Sequence, residues 1–383
     1  MTIQTPAGFT ASGVSAGIKA SGGLDLALIV NHGPRYNAAG VFTTNRISAA
    51  PVRWSQTALE NGEARAVVLN SGGANACTGL PGDQDAAAMA DHTAKALDIA
   101  AQDVLVSSTG LIGERLPMDK VLPGIQSAAH ALSHDGLVPA AQAIMTTDTV
   151  HKTAQAQGDG YVVSGITKGA GMIAPGMATM LAVVTTDAVV DSALAHELLT
   201  EAVRTTFNRA DSDGCMSTND TVILMASGAS GVTPDRAELQ DLITTVCASL
   251  ARQIIGDAEG STRDIAVTVH GAATEADGEE VARTVSRSNL FKTAMFGKDP
   301  NWGRIISAVG TTNAQFDPTT IDVAVNNVMV CRNAGIGDDR ELVRFDNREV
   351  RVDIYLKAGD HNVTIWTNDL SYDYVRENAD YSS

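Results

Sequence analysis

Basic residues are scarce in this chain. Against 44 Asp and Glu it carries only 27 Lys and Arg over 383 residues, a formal charge of −17. A surface of that sign repels polyanions, which argues against nucleic acid and anionic membranes as partners. Long apolar runs are missing as well, and none approaches the length of a membrane span. The opening M-T-I-Q-T-P-A-G-F-T has neither the basic start nor the apolar core of a secretory signal, so a cytoplasmic chain is expected. Cysteine is sparse. Cys77, Cys215, Cys247 and Cys331 are scattered with no C-x-x-C pair, the pattern of reduced, core-filling thiols. The N-x-T triplets at Asn219 and Asn362 are then chance matches. The eight histidines never fall at metal-ligand spacing, which leaves no case for zinc. Aromatics make up only 4% of a chain that is 44% apolar, an ordinary globular composition rich in alanine and glycine. At this length there is room for two domains or one large one.

What is present centres on residues 168–181, K-G-A-G-M-I-A-P-G-M-A-T-M-L. Glycine and proline break this run, so it can hold neither a helix nor a central strand. From Thr179 onward the chain reads T-M-L-A-V-V-T-T-D, an apolar, β-branched stretch with no breaker, the shape of a buried strand. A threonine hydroxyl is a poor nucleophile until a base takes its proton. A free α-amine, with pKa about 7.7–8.0, is such a base, and Thr179 acquires one only if the bond after Ala178 is cut. The small Gly176-Met177-Ala178 approach suits an intramolecular N-to-O acyl shift. The plain alternative is a glycine-rich turn leading into an ordinary strand.

Along the rest of the chain, strands are expected over residues 24–31, 38–45, 66–70, 104–106, 160–168, 221–226, 265–270, 322–325, 328–331 and 350–356. Helices are expected over 84–97 with Asp83 as cap, 118–132, 137–145, 191–207 with Asp191 as cap, 235–255, from 275, and 302–310. The strand at 104–106 opens into S-S-T-G. There a backbone N–H and a hydroxyl can converge on one spot, as an oxyanion requires, although from the residues alone a simple turn is the plainer reading. A-I-M-T-T-D-T (143–149) reads as a cap and turn. Asp211, Asp213 and Asp220 match no calcium-loop spacing, and a hydrogen-bonded loop is expected there instead of a metal site. Glu259, in D-A-E-G, follows a long helix and would ordinarily be solvated, and the polar tail S-Y-D-Y-V-R-E-N-A-D-Y-S-S would ordinarily be disordered. There is no repeat, no low-complexity linker and no visible domain seam. Strands and helices mix without β-α-β alternation, and no nucleotide fingerprint follows the glycines, so the expected class is α+β in layers.

Five strings occurring in order (S-T-G, M-T-T-D-T, K-G-x-G-M-I-A-P-x-M-A-T-M-L, D-A-E-G and D-P-N-W-G-R) resemble the ornithine acetyltransferase (glutamate N-acetyltransferase) family of arginine biosynthesis. The resemblance spans nearly the whole chain. It implies two packed β-sheets flanked by helices, an N-terminal-nucleophile-like enzyme that cuts itself between Ala178 and Thr179. The products would be an α chain, 1–178, and a β chain, 179–383, assembled as an α2β2 heterotetramer. It further implies Thr179 as nucleophile, Thr109 and Gly110 as oxyanion hole, and Thr147, Lys168, Thr179, Glu259, Asn378 and Ser383 as substrate contacts. Glu259 suits ornithine, whose ammonium groups call for a carboxylate. For Lys168 the residues themselves leave two uses open, a substrate carboxylate or the local field of the amine. The implied substrates are N-acetylornithine, ornithine, glutamate and N-acetylglutamate, with no metal or prosthetic group; some family members also take acetyl-CoA. Two rivals stand beside this reading. One is a self-cleaving aminopeptidase or amidohydrolase, in which water replaces glutamate; the other is a non-catalytic binding protein.

Overall fold

The computed structural model describes residues 3–174 and 180–380. The chain forms two compact units. The first gathers Met1–Ala170, Gly176–Asn208 and Met216–Ile254; the second gathers Gly171–Pro175, Arg209–Cys215 and Ile255–Ser383. The sequence shows no seam because each unit is assembled from segments that leave it and return, so no single linker marks the division.

In the first unit a four-stranded sheet runs Phe9–Val14, Leu26–Asn31, Ala66–Ser71, Val104–Thr109, with only the last pair parallel. A five-stranded sheet runs Asn37–Phe42, Thr221–Ala226, Leu181–Thr186, Val162–Lys168, Lys152–Gln157, in which only Leu181–Thr186 and Thr221–Ala226 are parallel. The sheets pack face to face. Phe9, Ile29, Val67, Leu69 and Leu105 of one meet Ile166, Leu181, Val183, Ile223 and Met225 of the other in a common core. The outer face of the four-stranded sheet, with Leu28, Val68 and Val106, is covered by Met89 and Ala90 of the helix Gly79–Leu97 and by Val121 and Ile125 of Met118–His130. The helix Arg236–Gly256 lies close against the other sheet. At Gly165 a Cβ would meet Leu250 and Val246 atoms at 2.9 Å. Inner strands are thus covered on both faces, which is why they read as continuous apolar runs rather than alternating ones. The expected α+β arrangement of packed sheets flanked by helices is what the chain adopts.

The second unit is one six-stranded sheet, in the order Gly335–Ile336, Val328–Arg332, Asp322–Val325, Glu349–Tyr355, Asp264–Ala272, His361–Asn368. Helices Glu275–Ser286, Asn289–Phe296 and Trp302–Val309 send Val281, Val285, Phe291, Met295, Ile305 and Val309 into the core against it. Here strand Glu349–Tyr355 alternates as its sequence suggests, burying Val350, Val352 and Ile354.

Two local expectations need correction, and the tail takes a form its composition does not show. The helix Gly79–Leu97 begins five residues before Gln84, so Asp83 is no cap; it lies inside the helix and pairs with Arg53. Its first turn contains Pro81, tolerated there because first-turn N–H groups have no helical acceptor, and the Gly-Leu-Pro-Gly string passes for a loop. Strand Val104–Thr109 continues through both serines of S-S-T-G. Ser108 can lie buried because its hydroxyl donates to Asn70 Oδ1 at 2.6 Å. The polar tail is a helix, Tyr372–Ala379, capped by Ser371, whose oxygen accepts from Tyr374 N.

Candidate active site

In the first unit the site is built at a strand end. Thr109 closes Val104–Thr109 and is 2% exposed. Its carbonyl accepts from Gly73 N at 3.0 Å, drawing the 72–73 backbone against the next residue. That next residue can only be glycine. Gly110 has φ of 133°, and a Cβ there would come 2.4 Å from Gly73 N and 2.7 Å from Gly72 C. Across from it, Lys168 closes the strand Val162–Lys168, is equally buried, and donates from Nζ to Thr109 Oγ1 at 3.4 Å. A buried hydroxyl and a buried ammonium therefore meet beside a half-buried glycine, an arrangement able to hold a developing negative charge.

Asp148 organises the surroundings. Its Oδ1 accepts from Lys152 Nζ and from Gly169 N, both at 2.7 Å, and its Oδ2 from Thr146 N at 2.9 Å. Burial opposes the charged carboxylate, yet Lys168, Lys152 and the hydrogen bonds outweigh it and hold the pKa at about 2. Thr147, on the same turn, is exposed. Asp220 is fully buried and accepts from Met180 N at 2.9 Å through Oδ1, while Oδ2 finds no hydrogen-bond partner among the described residues. Burial pushes this carboxyl well above the usual range, against the pull of the Met180 N–H, Lys168 and Ser217.

The second unit joins Glu259 to Asn378. Asn378 Nδ2 donates to Glu259 Oε2 and to Tyr374 O, both at 3.0 Å. The glycine of D-A-E-G is required by the same approach: a Cβ on Gly260 would come 2.1 Å from Tyr374 N. Gly171 lies against the same carboxylate: a Cβ there would come 2.4 Å from Glu259 Oε2 and displace it. Asp213 accepts from Met172 N at 2.8 Å and from Ile173 N at 2.9 Å, and burial raises its pKa despite those donors. Asp211 instead pairs with Arg287 at 2.8 Å and Arg283 at 3.2 Å. In the F-K-T-A-M-F-G-K-D-P-N-W-G-R stretch, buried Lys292 donates to Thr367 Oγ1 and to the carbonyls of Ser212 and Asn368, and burial pulls its pKa down to about 8. Asn301 caps the following helix by accepting from Arg304 N at 3.2 Å. These residues build a corner.

Of the residues singled out in the sequence, Thr109, Gly110 and Lys168 come together in the first unit, and Glu259 and Asn378 in the second. Thr147 lies one residue from the Asp148 anchor. Ala178, Thr179 and Ser383 lie outside the described residues. The hydrogen-bonded loop expected around Asp213 and Asp220 is present, and its backbone partners lie in the central motif. Asp148, Asp213 and Asp220 each hold backbone N–H groups of the central glycine-rich motif, at Gly169, at Met172 and Ile173, and at Met180. Asp148 stood inside the marked string M-T-T-D-T, read there as a cap and turn.

Layered sheets with a buried, glycine-backed hydroxyl facing an ammonium suit the class of enzymes that move acyl groups. Comparison with known proteins gives the particular family. The ArgJ family profile matches residues 10–383. The arginine biosynthesis bifunctional protein ArgJ of Streptomyces coelicolor is 57% identical over all of both chains, and that of Thermobifida fusca 55%, again over all of both. A crystal structure of ornithine acetyltransferase from Mycobacterium tuberculosis, complexed with ornithine, is similar at 53% identity, covering 46% of this chain and 94% of that one with a TM-score of 0.44. The chain belongs to the ArgJ family, acyltransferases of arginine biosynthesis.

Proposed function

We propose that the chain transfers the acetyl group of N2-acetylornithine to glutamate through an acetyl ester on Thr179, after cutting itself between Ala178 and Thr179. Thr179 Oγ attacks the Ala178 carbonyl carbon, the peptide becomes an ester, and water hydrolyses it. Residues 1–178 and 179–383 separate covalently, and Thr179 gains a free α-amine that serves as its base. In turnover the same oxygen attacks the acetyl carbonyl of N-acetylornithine. Thr109 and Gly110 hold the oxyanion, a contribution on the order of 10²–10³ per donor. The ornithine nitrogen takes the proton and leaves. The α-amine of glutamate then attacks the ester, giving N-acetylglutamate and free Thr179. Lys168 and Thr147 receive the substrate, as do Glu259, Asn378 and Ser383, with Glu259 answering the ornithine ammonium. No metal or prosthetic group enters these steps. Acetyl-CoA serves as a second donor, in keeping with the bifunctional name of the relatives. The working form is an α2β2 heterotetramer in the cytoplasm; among the described residues no helix is long and apolar enough to cross a membrane.

The observation that supports this reading is Lys168 Nζ on Thr109 Oγ1, beside a position where only glycine fits. The test is intact mass spectrometry of the native protein beside Thr179→Ala, with transfer from N-acetylornithine measured with and without glutamate. Two fragments split before Thr179, one chain from the variant, and glutamate-dependent transfer are expected. An active native protein that stays whole would overturn the mechanism, and deacetylation without glutamate would make it a hydrolase.

A further inference from the structure

Lys19 belongs to none of the marked strings, yet the fold of the first unit builds it a place. Asp25, fully buried, folds the preceding loop around itself: Oδ1 accepts from Ala16 N at 2.6 Å, and Oδ2 from Ile18 N at 2.6 Å and Lys19 N at 3.0 Å. This fixes the backbone from which the Lys19 side chain departs. Its stem lies along the glycine loop behind Thr109, with Cγ 3.4 Å from where a Gly72 Cβ would stand. Gly72 and Gly73 are the residues onto which Gly110 closes, and Gly73 N holds the Thr109 carbonyl. Lys19 thus stands beside the glycine loop that backs the anion-holding point.

Lys19, Lys152 and Lys168 bring three ammonium groups within electrostatic reach of one another or of Asp148, and Asp25 and Asp148 are the carboxylates that act on Lys19 among the described residues. Both are engaged already, Asp25 by three backbone N–H groups and Asp148 by Lys152, Gly169 and Thr146. Asp220, which Lys168 also acts on, is pushed toward its neutral form by burial. Among the described residues, Lys19 Nζ donates a single hydrogen bond, to Leu24 O at 2.9 Å, while an ammonium has three hydrogens. Burial lowers its pKa, Asp25 and Asp148 oppose that, and Lys168 adds to it. An arriving anion relieves both the desolvation and the repulsion.

We infer that Lys19 is a second cation of the substrate site, receiving the α-carboxylate of the acetylated amino acid and of the amino acid that takes its acetyl group. The inference rests on the acetyl-transfer reading above. Of the anions on these substrates, the α-carboxylate is the one shared by donor and acceptor. It lies two bonds from the nitrogen that loses or gains the acetyl group, so a cation beside the oxyanion loop is within its reach.

Lys19→Gln and Lys19→Arg test it, with N-acetylornithine and its α-carboxamide as alternative donors. KM for N-acetylornithine and for glutamate is expected to rise about tenfold or more in Lys19→Gln, with kcat little changed, because a charge-assisted bond is lost in ground and transition states alike. Lys19→Arg restores most of the loss. The carboxamide is a poor donor for the native enzyme but loses no further ground in Lys19→Gln, a coupling that a merely structural lysine does not produce. Unchanged KM values, or an equal carboxamide penalty in native and variant, would overturn the inference. Should Lys19→Gln fail to fold, Lys19→Met with both donors decides by the same comparison. If the native enzyme itself transfers no acetyl group, the parent reading fails instead.

Discussion

At Asp148 burial and charge pull in opposite directions, and the outcome sets a pH dependence. The folded pKa of about 2 lies below the value near 3.9 of an unfolded aspartate. Its contribution is therefore present above pH about 4 and disappears as pH falls toward about 2, amounting to roughly 2–3 kcal/mol. Asp148→Asn leaves buried ammonium groups without their partner and is expected to lose about 3 kcal/mol at neutral pH. Urea unfolding of both proteins at pH 7 and pH 2.5 checks this, with the gap between them shrinking at the lower pH. A gap of the same size at both would show that Asp148 is not held by its cations. Lys292 runs the other way: burial takes its pKa down to about 8, so the native protein gains stability from it as pH rises between about 8 and 10.

At the scale of elements, the helices are positioned by caps and close approaches that can be removed one at a time. Asp191 accepts from Leu194 N at 2.8 Å at the start of Ser192–Thr205, as its place before an apolar-periodic run predicts. Asp191→Ala should cost about 1 kcal/mol, read as a lower urea midpoint at unchanged slope, with acetyl transfer unaffected. A loss of activity at unchanged stability would tie this helix to the chemistry in a way its packing does not suggest. The helix Tyr372–Ala379 is the opposite kind of element. Its sequence is polar and no residue in it is buried, and Ser371 and the contact with Gly260 are what hold its first turn.

For the whole molecule, the strand ladder matters more than the proposed cut. In the five-stranded sheet, Asn37–Phe42, Lys152–Gln157 and Val162–Lys168 come from residues before the cut, and Leu181–Thr186 and Thr221–Ala226 from residues after it. Lys168 pairs with Leu181 in register, and Asn37–Phe42 pairs along its full length with Thr221–Ala226. Severing one peptide bond leaves these hydrogen bonds and the shared core in place. The two products should therefore elute together in size-exclusion chromatography and part only in denaturant, as mass spectrometry of the eluted peak would show. Separation in plain buffer would mean that the ladder does not survive cleavage.

The sequence by itself determined the buried strands, the major helices and the glycine-rich motif, because apolar runs, periodicity and chain-breaking residues act locally. It also carried the family, through strings whose order needs no folding to be read. It left edge strands such as Phe9–Val14 and Lys152–Gln157 unmarked, since half-exposed strands mix serine, threonine and glutamine with their apolar residues. Only the tertiary structure decided which aspartate holds which part of the motif. Asp148, Asp213 and Asp220 reach their backbone donors at Gly169, Met172 and Met180 across 21, 41 and 40 residues. It alone decided that Lys19 stands behind Thr109, with 90 residues of chain between them. A hydrogen bond or a charge acts over a few ångströms of space, and the distance along the chain carries no record of it.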